Sequence, residues 1–83
     1  MYYLYILKCA DGTLYTGITV DVARRVLEHN SSKLGAKYTR SRRPIRLVYS
    51  KKYRSRSTAS RAESKIKALS RDQKLKLIKT AKK

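Results

Sequence analysis

The stretch Tyr2-Tyr3-Leu4-Tyr5-Ile6-Leu7-Lys8-Cys9-Ala10-Asp11-Gly12-Thr13-Leu14-Tyr15-Thr16-Gly17 constrains this chain more than any other. Two β-prone runs rich in Tyr, Ile, Leu and Thr flank an Asp-Gly turn signal, which reads as a β-hairpin. Local turn chemistry admits two registers. A two-residue loop, Asp11-Gly12 in a type I′ turn, pairs Ala10 with Thr13 and puts Tyr5 and Tyr15 on opposite faces. A three-residue loop, Ala10-Asp11-Gly12 with Gly12 left-handed in a G1 bulge, pairs Cys9 with Thr13. Tyr3, Tyr5, Tyr15 and Gly17 then share one face, because side chains alternate with period two.

A hairpin needs a sheet and a cover, and 83 residues allow one domain, 1–83, near the lower end of what folds unaided. No run of about 18 apolar residues exists, so no membrane span is expected. The N-terminus enters a strand pattern directly, without a cleavable signal, and Cys9 has no second cysteine to pair with. Both fit a reducing cytoplasm. Charge is the strongest compositional signal: 22 Lys and Arg against 5 Asp and Glu give a net charge of +17. Self-repulsion at that density opposes compaction, and a polyanionic partner is the usual reason for it. The basic residues are spread from Lys8 to Lys83, with a heavy run from Lys33 through Arg61, so they do not form a disordered tail. Composition therefore points to nucleic acid and says nothing of catalysis.

After Gly17 the period changes. Val22, Ala23, Val26 and Leu27 repeat at helical spacing opposite Arg24 and Glu28, predicting a helix over roughly 20–30 that Thr19 or Asp21 can cap. Arg25 and His29, four apart, share a ridge at the border between core and water. Residues 31–43 read as a basic loop with one helical turn near Ala36–Arg40. Pro44 opens a third strand over 45–53, with Ile45, Leu47, Tyr49 and Tyr53 on one face. Ser57 can cap a helix over about 58–68 whose apolar face is Ala59, Ala62, Ile66 and Leu69, with Glu63 on its margin. Ser70-Arg71-Asp72-Gln73 is a capping box starting a last helix, with Leu75 and Ile78 inward. The order β-β-α-β-α-α predicts an α+β fold: a small three-stranded antiparallel sheet flanked by helices.

The chain lacks paired Cys/His zinc ligands, a Gly-rich phosphate loop and a Ser-His-Asp set. Its five scattered acids do not readily build a two-metal site. Cleavage of nucleic acid would thus rest on one metal and one main carboxylate, with Glu63 the best placed. Glu63 also reads as a helix-surface acid paired with a neighbouring Lys or Arg. Tyr2, Tyr3, Tyr49 and Tyr53 read as amphipathic strand residues, buried at the ring and wet at the tip. Tyr5, Tyr15, Arg25 and His29 each have an ordinary structural reading when taken singly.

As an ordered set, these residues resemble the GIY-YIG nuclease superfamily, and in particular its small bacterial members. Tyr3-Leu4-Tyr5 stands at the first motif and Tyr15-Thr16-Gly17 at the second, nine residues apart. Arg25 follows in Asp21-Val22-Ala23-Arg24-Arg25, and His29 four residues later. Gly35-Ala36-Lys37-Tyr38-Thr39-Arg40, Arg42-Arg43-Pro44 and Ala62-Glu63-Ser64-Lys65-Ile66-Lys67 complete a likeness running from about Tyr2 to Ile78. Departures are Tyr3 for the Gly and Thr16 for the Ile of the motif names, Ile18 for a following lysine, and Leu75 in the region of a late asparagine.

The resemblance implies a DNA endonuclease using a single Mg²⁺ or Mn²⁺ ion. Tyr5 would act as or position the general base, and Tyr15 would orient water or phosphate. Arg25 would neutralise the scissile phosphate, His29 would support proton transfer, and Glu63 would hold the metal. This assignment requires the three-residue loop. A tyrosine at its reference pKa of roughly 10 is a poor base near neutrality, so the cationic surroundings are expected to lower it. Lys37, Arg40, Arg42, Arg43, Lys65 and Lys67 are the candidate nucleic-acid contacts. A chain this short has little room for a separate sequence reader, so branched, nicked or single-stranded DNA is the expected substrate, with RNA less favoured. The alternative is a basic nucleic-acid-binding protein that keeps the scaffold without catalysis.

Overall fold

The structure, a computed structural model, describes residues 1–31 and 37–81, and among these the side chains of all but Lys37, Tyr38 and Ala81. Strands β1 (Tyr2–Lys8) and β2 (Leu14–Thr19) form the hairpin. Its register pairs Tyr5 with Gly17 and Leu7 with Tyr15. The Cys9 N–H donates to Thr13 O at 2.9 Å, the Gly12 N–H donates to Cys9 O at 2.9 Å, and Gly12 has φ 85°. This is the three-residue loop, and it puts Tyr5 and Tyr15 on the same face.

Helix α1 (Val22–Ser31) begins where Asp21 Oδ1 accepts from the Arg24 N–H at 3.1 Å. A single helical turn, α2 (Lys37–Arg40), follows, then strand β3 (Arg46–Tyr53), helix α3 (Arg56–Lys67) and helix α4 (Arg71–Ala81). The sheet order is β2-β1-β3, all antiparallel. The expected α+β architecture and element order are both present.

β1, as the central strand, divides the core by parity. Leu4 and Ile6 face Ile66 of α3 and Ile78 of α4, while Tyr5, Leu7 and Cys9 face the other way with Ile45 and Val26 of α1. Both sheet faces are therefore covered, and Leu4, Ile6 and Leu7 are fully buried. Burial of this kind contributes about 1.5–3 kcal/mol per large side chain.

Three local expectations are corrected. β3 does not alternate cleanly, because a bulge shifts the register between Ile6↔Tyr49 and Leu7↔Leu47. The extra residue there lets Val48 and Tyr49 both join the α3–α4 core while Ile45 joins the α1 core. The cap of α3 is Ser55, whose Oγ accepts from the Thr58 N–H at 3.2 Å; Ser57 lies inside the first turn. Within α4, Ile78 is buried but Leu75 is 37% exposed, and Leu77 takes the inward place beside Ile78. The capping box forms in both directions: Gln73 Oε1 accepts from the Ser70 N–H at 2.9 Å, and Ser70 Oγ from the Gln73 N–H at 3.2 Å.

Candidate active site

The site is built on the polar edge of the α1 core. Tyr5 sits opposite Gly17, and its ring lies across that residue: a methyl in place of the Gly17 hydrogen would fall 2.5 Å from Tyr5 Oη. Glycine is thus required by close approach. The Tyr5 ring runs toward the β2 edge with only 2% of its surface exposed. Tyr15, diagonal to Tyr5 across the strand pair, has its ring centroid 6.5 Å from that of Tyr5. His29 closes the triangle at 6.0 Å from Tyr5 and 5.3 Å from Tyr15, edge-on to the latter.

The Tyr5 hydroxyl meets His29 Nε2 at 3.1 Å, and the other ring nitrogen, Nδ1, meets Thr39 Oγ1 at 2.7 Å. His29 and Thr39 are both completely buried, so this polar chain runs inward from the tyrosine through α1 to α2. The expectation of a rim histidine is corrected here. Burial, with the Arg25 and Arg43 charges adding to it, lowers the His29 pKa to about 4, so the ring is neutral near pH 7. Its neighbour Asn30 fixes the start of the β3 segment, donating from Nδ2 to Ile45 O at 2.9 Å and accepting from the Ile45 N–H at 2.7 Å. Thr39 and Asn30 were not singled out as site or scaffold residues. Thr39 stands within the Gly35–Arg40 segment of the resemblance, but a threonine in a basic loop gains its meaning only from the histidine it meets, and Asn30 has no distinctive pattern.

Arg25 donates from Nη1 to Glu28 Oε1 at 2.9 Å and also hydrogen-bonds Tyr5. Glu28 receives Arg24 as well, at 3.2 Å, which leaves its carboxylate below the usual range, first through the Arg25 hydrogen bond. The Tyr5 hydroxyl is raised above its ordinary pKa, chiefly by burial, although Arg25 pulls the other way. The cationic setting therefore does not win at this position, contrary to the expectation from charge alone. Desolvation acts on the whole phenol, whereas most of the described basic side chains lie at the surface, where water and salt screen them.

Glu63 projects from the margin of α3, and its charge is among the causes that raise Tyr5. Its side chain is 22% exposed and pairs with Lys67 one turn on, Nζ to Oε2 at 3.5 Å. The helix-surface ion pair is therefore formed, and the link to Tyr5 is a through-space effect of charge, the smallest of the causes acting on that hydroxyl. Of the candidate nucleic-acid contacts, Arg40, Lys65 and Lys67 are exposed, the last of them paired with Glu63. Arg42 binds Asp11 at 3.0 Å, and Arg43 donates to His29 O at 2.5 Å, so both serve the loop's own structure. The Lys37 side chain and residues 32–36 lie outside the described residues.

Among the described residues no cluster of three His, Cys, Asp or Glu side chains forms. An all-protein metal cage does not fit. A single carboxylate does suit a hydrated Mg²⁺ or Mn²⁺ that completes its shell with water and substrate phosphate.

Several known proteins are similar to this chain. The family model described as the GIY-YIG catalytic domain matches residues 1–76. The chain is 57% identical over 82 residues to a UPF0213 protein of Desulfotalea psychrophila, spanning 99% of this chain and 74% of that protein. The solution NMR structure of the UPF0213 protein BH0048 from Bacillus halodurans is 48% identical, with a TM-score of 0.62 over 96% of this chain and 85% of that one. That of the protein EF2693 from E. faecalis is 43% identical, with a TM-score of 0.64 over 95% and 83%.

Proposed function

The chain belongs to the GIY-YIG catalytic-domain family, and on that premise we propose that it is an endonuclease hydrolysing phosphodiester bonds in DNA, directed by structure more than by sequence. The observation that carries the reading is the Tyr5 hydroxyl bonded to the neutral, buried His29, with Arg25 hydrogen-bonded to the same hydroxyl. Tyr5 is protonated near neutrality, so it does not serve as a free phenolate. With His29 Nδ1–H donating to Thr39, Nε2 is left to accept the Tyr5 proton. Tyr5 then takes a proton from the attacking water as it passes its own to His29. Tyr15 orients the phosphate beside them, and Arg25 balances the charge that develops on it.

Nucleases of this family generally use divalent metal ions. Glu63 would hold one such ion, which when bound supplies positive charge to the leaving oxygen. The Lys67 pair does not oppose this, since Lys67 is 57% exposed and such pairs contribute about 0–1 kcal/mol.

The test uses the purified protein, Tyr5→Phe and Glu63→Ala with branched, nicked, single-stranded and duplex DNA, with and without Mg²⁺. Cleavage by the parent protein is expected to require the metal. Both variants should lose it by about a hundredfold or more while binding DNA nearly normally. A second reading, binding without catalysis, is favoured by the raised Tyr5, whose hydroxyl holds its proton more firmly than a free phenol. It predicts no metal-dependent cutting by the parent protein on any of the four DNAs.

A further inference from the structure

The opposite margin of α3 carries a feature that the cleavage chemistry leaves unused. Tyr53, Thr58, Arg61, Ala62 and Lys65 line an open cavity of about 310 Å³ between the end of β3 and α3. Tyr53 forms an aromatic wall and is only half-buried, and Lys51 holds its ammonium 5.6 Å from the ring centroid. Arg61 and Lys65 are four apart on one helix ridge and both exposed, so their charges stand together at the cavity mouth. Glu63 lies two residues from each, about 200° around the helix, which turns it to the other flank. The cavity is therefore separate from the Tyr5 site, and α3 lies between them.

Apolar ring, shallow volume and paired cations suit one kind of ligand: a planar aromatic group that carries an anion. On a chain of net charge +17 read as acting on DNA, that ligand is an unpaired nucleotide of the bound strand. We infer that this cavity is a nucleotide-binding exosite, with the base stacked on Tyr53 and a flanking phosphate held by Arg61 and Lys65. The inference rests on the nucleic-acid part of the proposed function but not on catalysis. Stacking on an aromatic ring tolerates any base, so the exosite favours single-stranded segments without reading sequence. A blunt duplex keeps its bases stacked on one another and cannot use the ring.

The test measures fluorescence anisotropy with three labelled probes of equal length: a single strand, the same backbone made abasic, and a blunt duplex. The parent protein should bind the base-bearing strand about tenfold more tightly than the abasic one. Tyr53→Leu, which keeps apolar bulk but removes the π face, should erase that difference and leave duplex binding unchanged. Tyr53→Phe should retain it, which separates stacking from loss of fold. Arg61→Gln with Lys65→Gln should weaken both single strands and flatten the salt dependence of strand binding by a log–log slope of about 1.4.

Equal affinity of the parent protein for base-bearing and abasic strands overturns the exosite, as does a Tyr53→Leu variant that still discriminates. Discrimination by a protein that never cleaves supports the exosite and defeats the nuclease reading. Cleavage without discrimination does the reverse.

Discussion

At Gly17 the absence of a side chain decides where a hydroxyl can go. Tyr5 reaches the β2 edge only because nothing occupies the space above its cross-strand partner. Gly17→Ala would push a methyl to 2.7 Å from Tyr5 Cζ, within a ring that is 2% exposed and tied to His29. We predict a loss of about 1–3 kcal/mol in denaturant unfolding, together with loss of cleavage. In a Tyr5→Leu background the same alanine should be nearly neutral. An equal cost in both backgrounds would show that the ring contact is not the cause. The spacing of Tyr15-Thr16-Gly17 made this glycine visible in the sequence. Its reason was not visible, because that depends on the register placing it opposite Tyr5.

The next scale is the joint between β1, α1 and α2, which the chain Tyr5–His29–Thr39 stitches together. His29 is the one histidine, and its folded pKa of about 4 lies below its ordinary 6.5. Between those values the unfolded chain binds the proton and the folded one does not. The stability it contributes is therefore fully present above about pH 6.5 and lost progressively as pH falls toward 4. At about 1.4 kcal/mol per unit the effect is on the order of 3 kcal/mol. Urea unfolding at pH 7, 6, 5 and 4 should show that decline, and His29→Gln should flatten much of it. An unchanged slope in the variant would assign the acid sensitivity to the paired carboxylates Asp11 and Glu28, both of which lie below their ordinary values. Periodicity placed α1 and α3 to within about two residues and found the α4 capping box atom for atom. It misjudged β3, where one bulged residue moves Tyr49 to the opposite core from Ile45. It also misjudged His29, since a helical pattern says which ridge a residue occupies and not what later segment will close over it.

At the scale of the whole molecule, charge and fold are separable. The core uses few of the 22 basic residues, and Arg25, Arg42 and Arg43 are the ones most engaged in internal structure. Most of the other described basic residues are exposed on a small body whose Cα radius of gyration is 12.1 Å. If bound DNA engages roughly six of these cations, affinity for duplex should fall about a thousandfold between 50 and 200 mM salt, with little dependence on sequence. A binding constant that barely moves over that range would refute the electrostatic reading while leaving the Tyr5 geometry intact. Composition carried the charge on which this expectation rests. The division of labour among the arginines was hidden, because Arg40 on the surface and Arg42 against Asp11 look alike in a basic run.

The β3 bulge has a bearing on self-assembly. With β1 in the middle, β2 and β3 are both boundary strands, and among the described residues neither has a strand partner on its outer side. An untreated border of this kind is a template for fibril-like stacking of one copy on another. β3 is irregular at Val48 and continues into Ser50-Lys51-Lys52, all exposed. Antiparallel docking of two such strands would bring lysine rows together around a break in the hydrogen-bond ladder. The irregularity that sorts Tyr49 from Ile45 inside the protein is thus also expected to hinder neighbouring molecules from zipping together outside it.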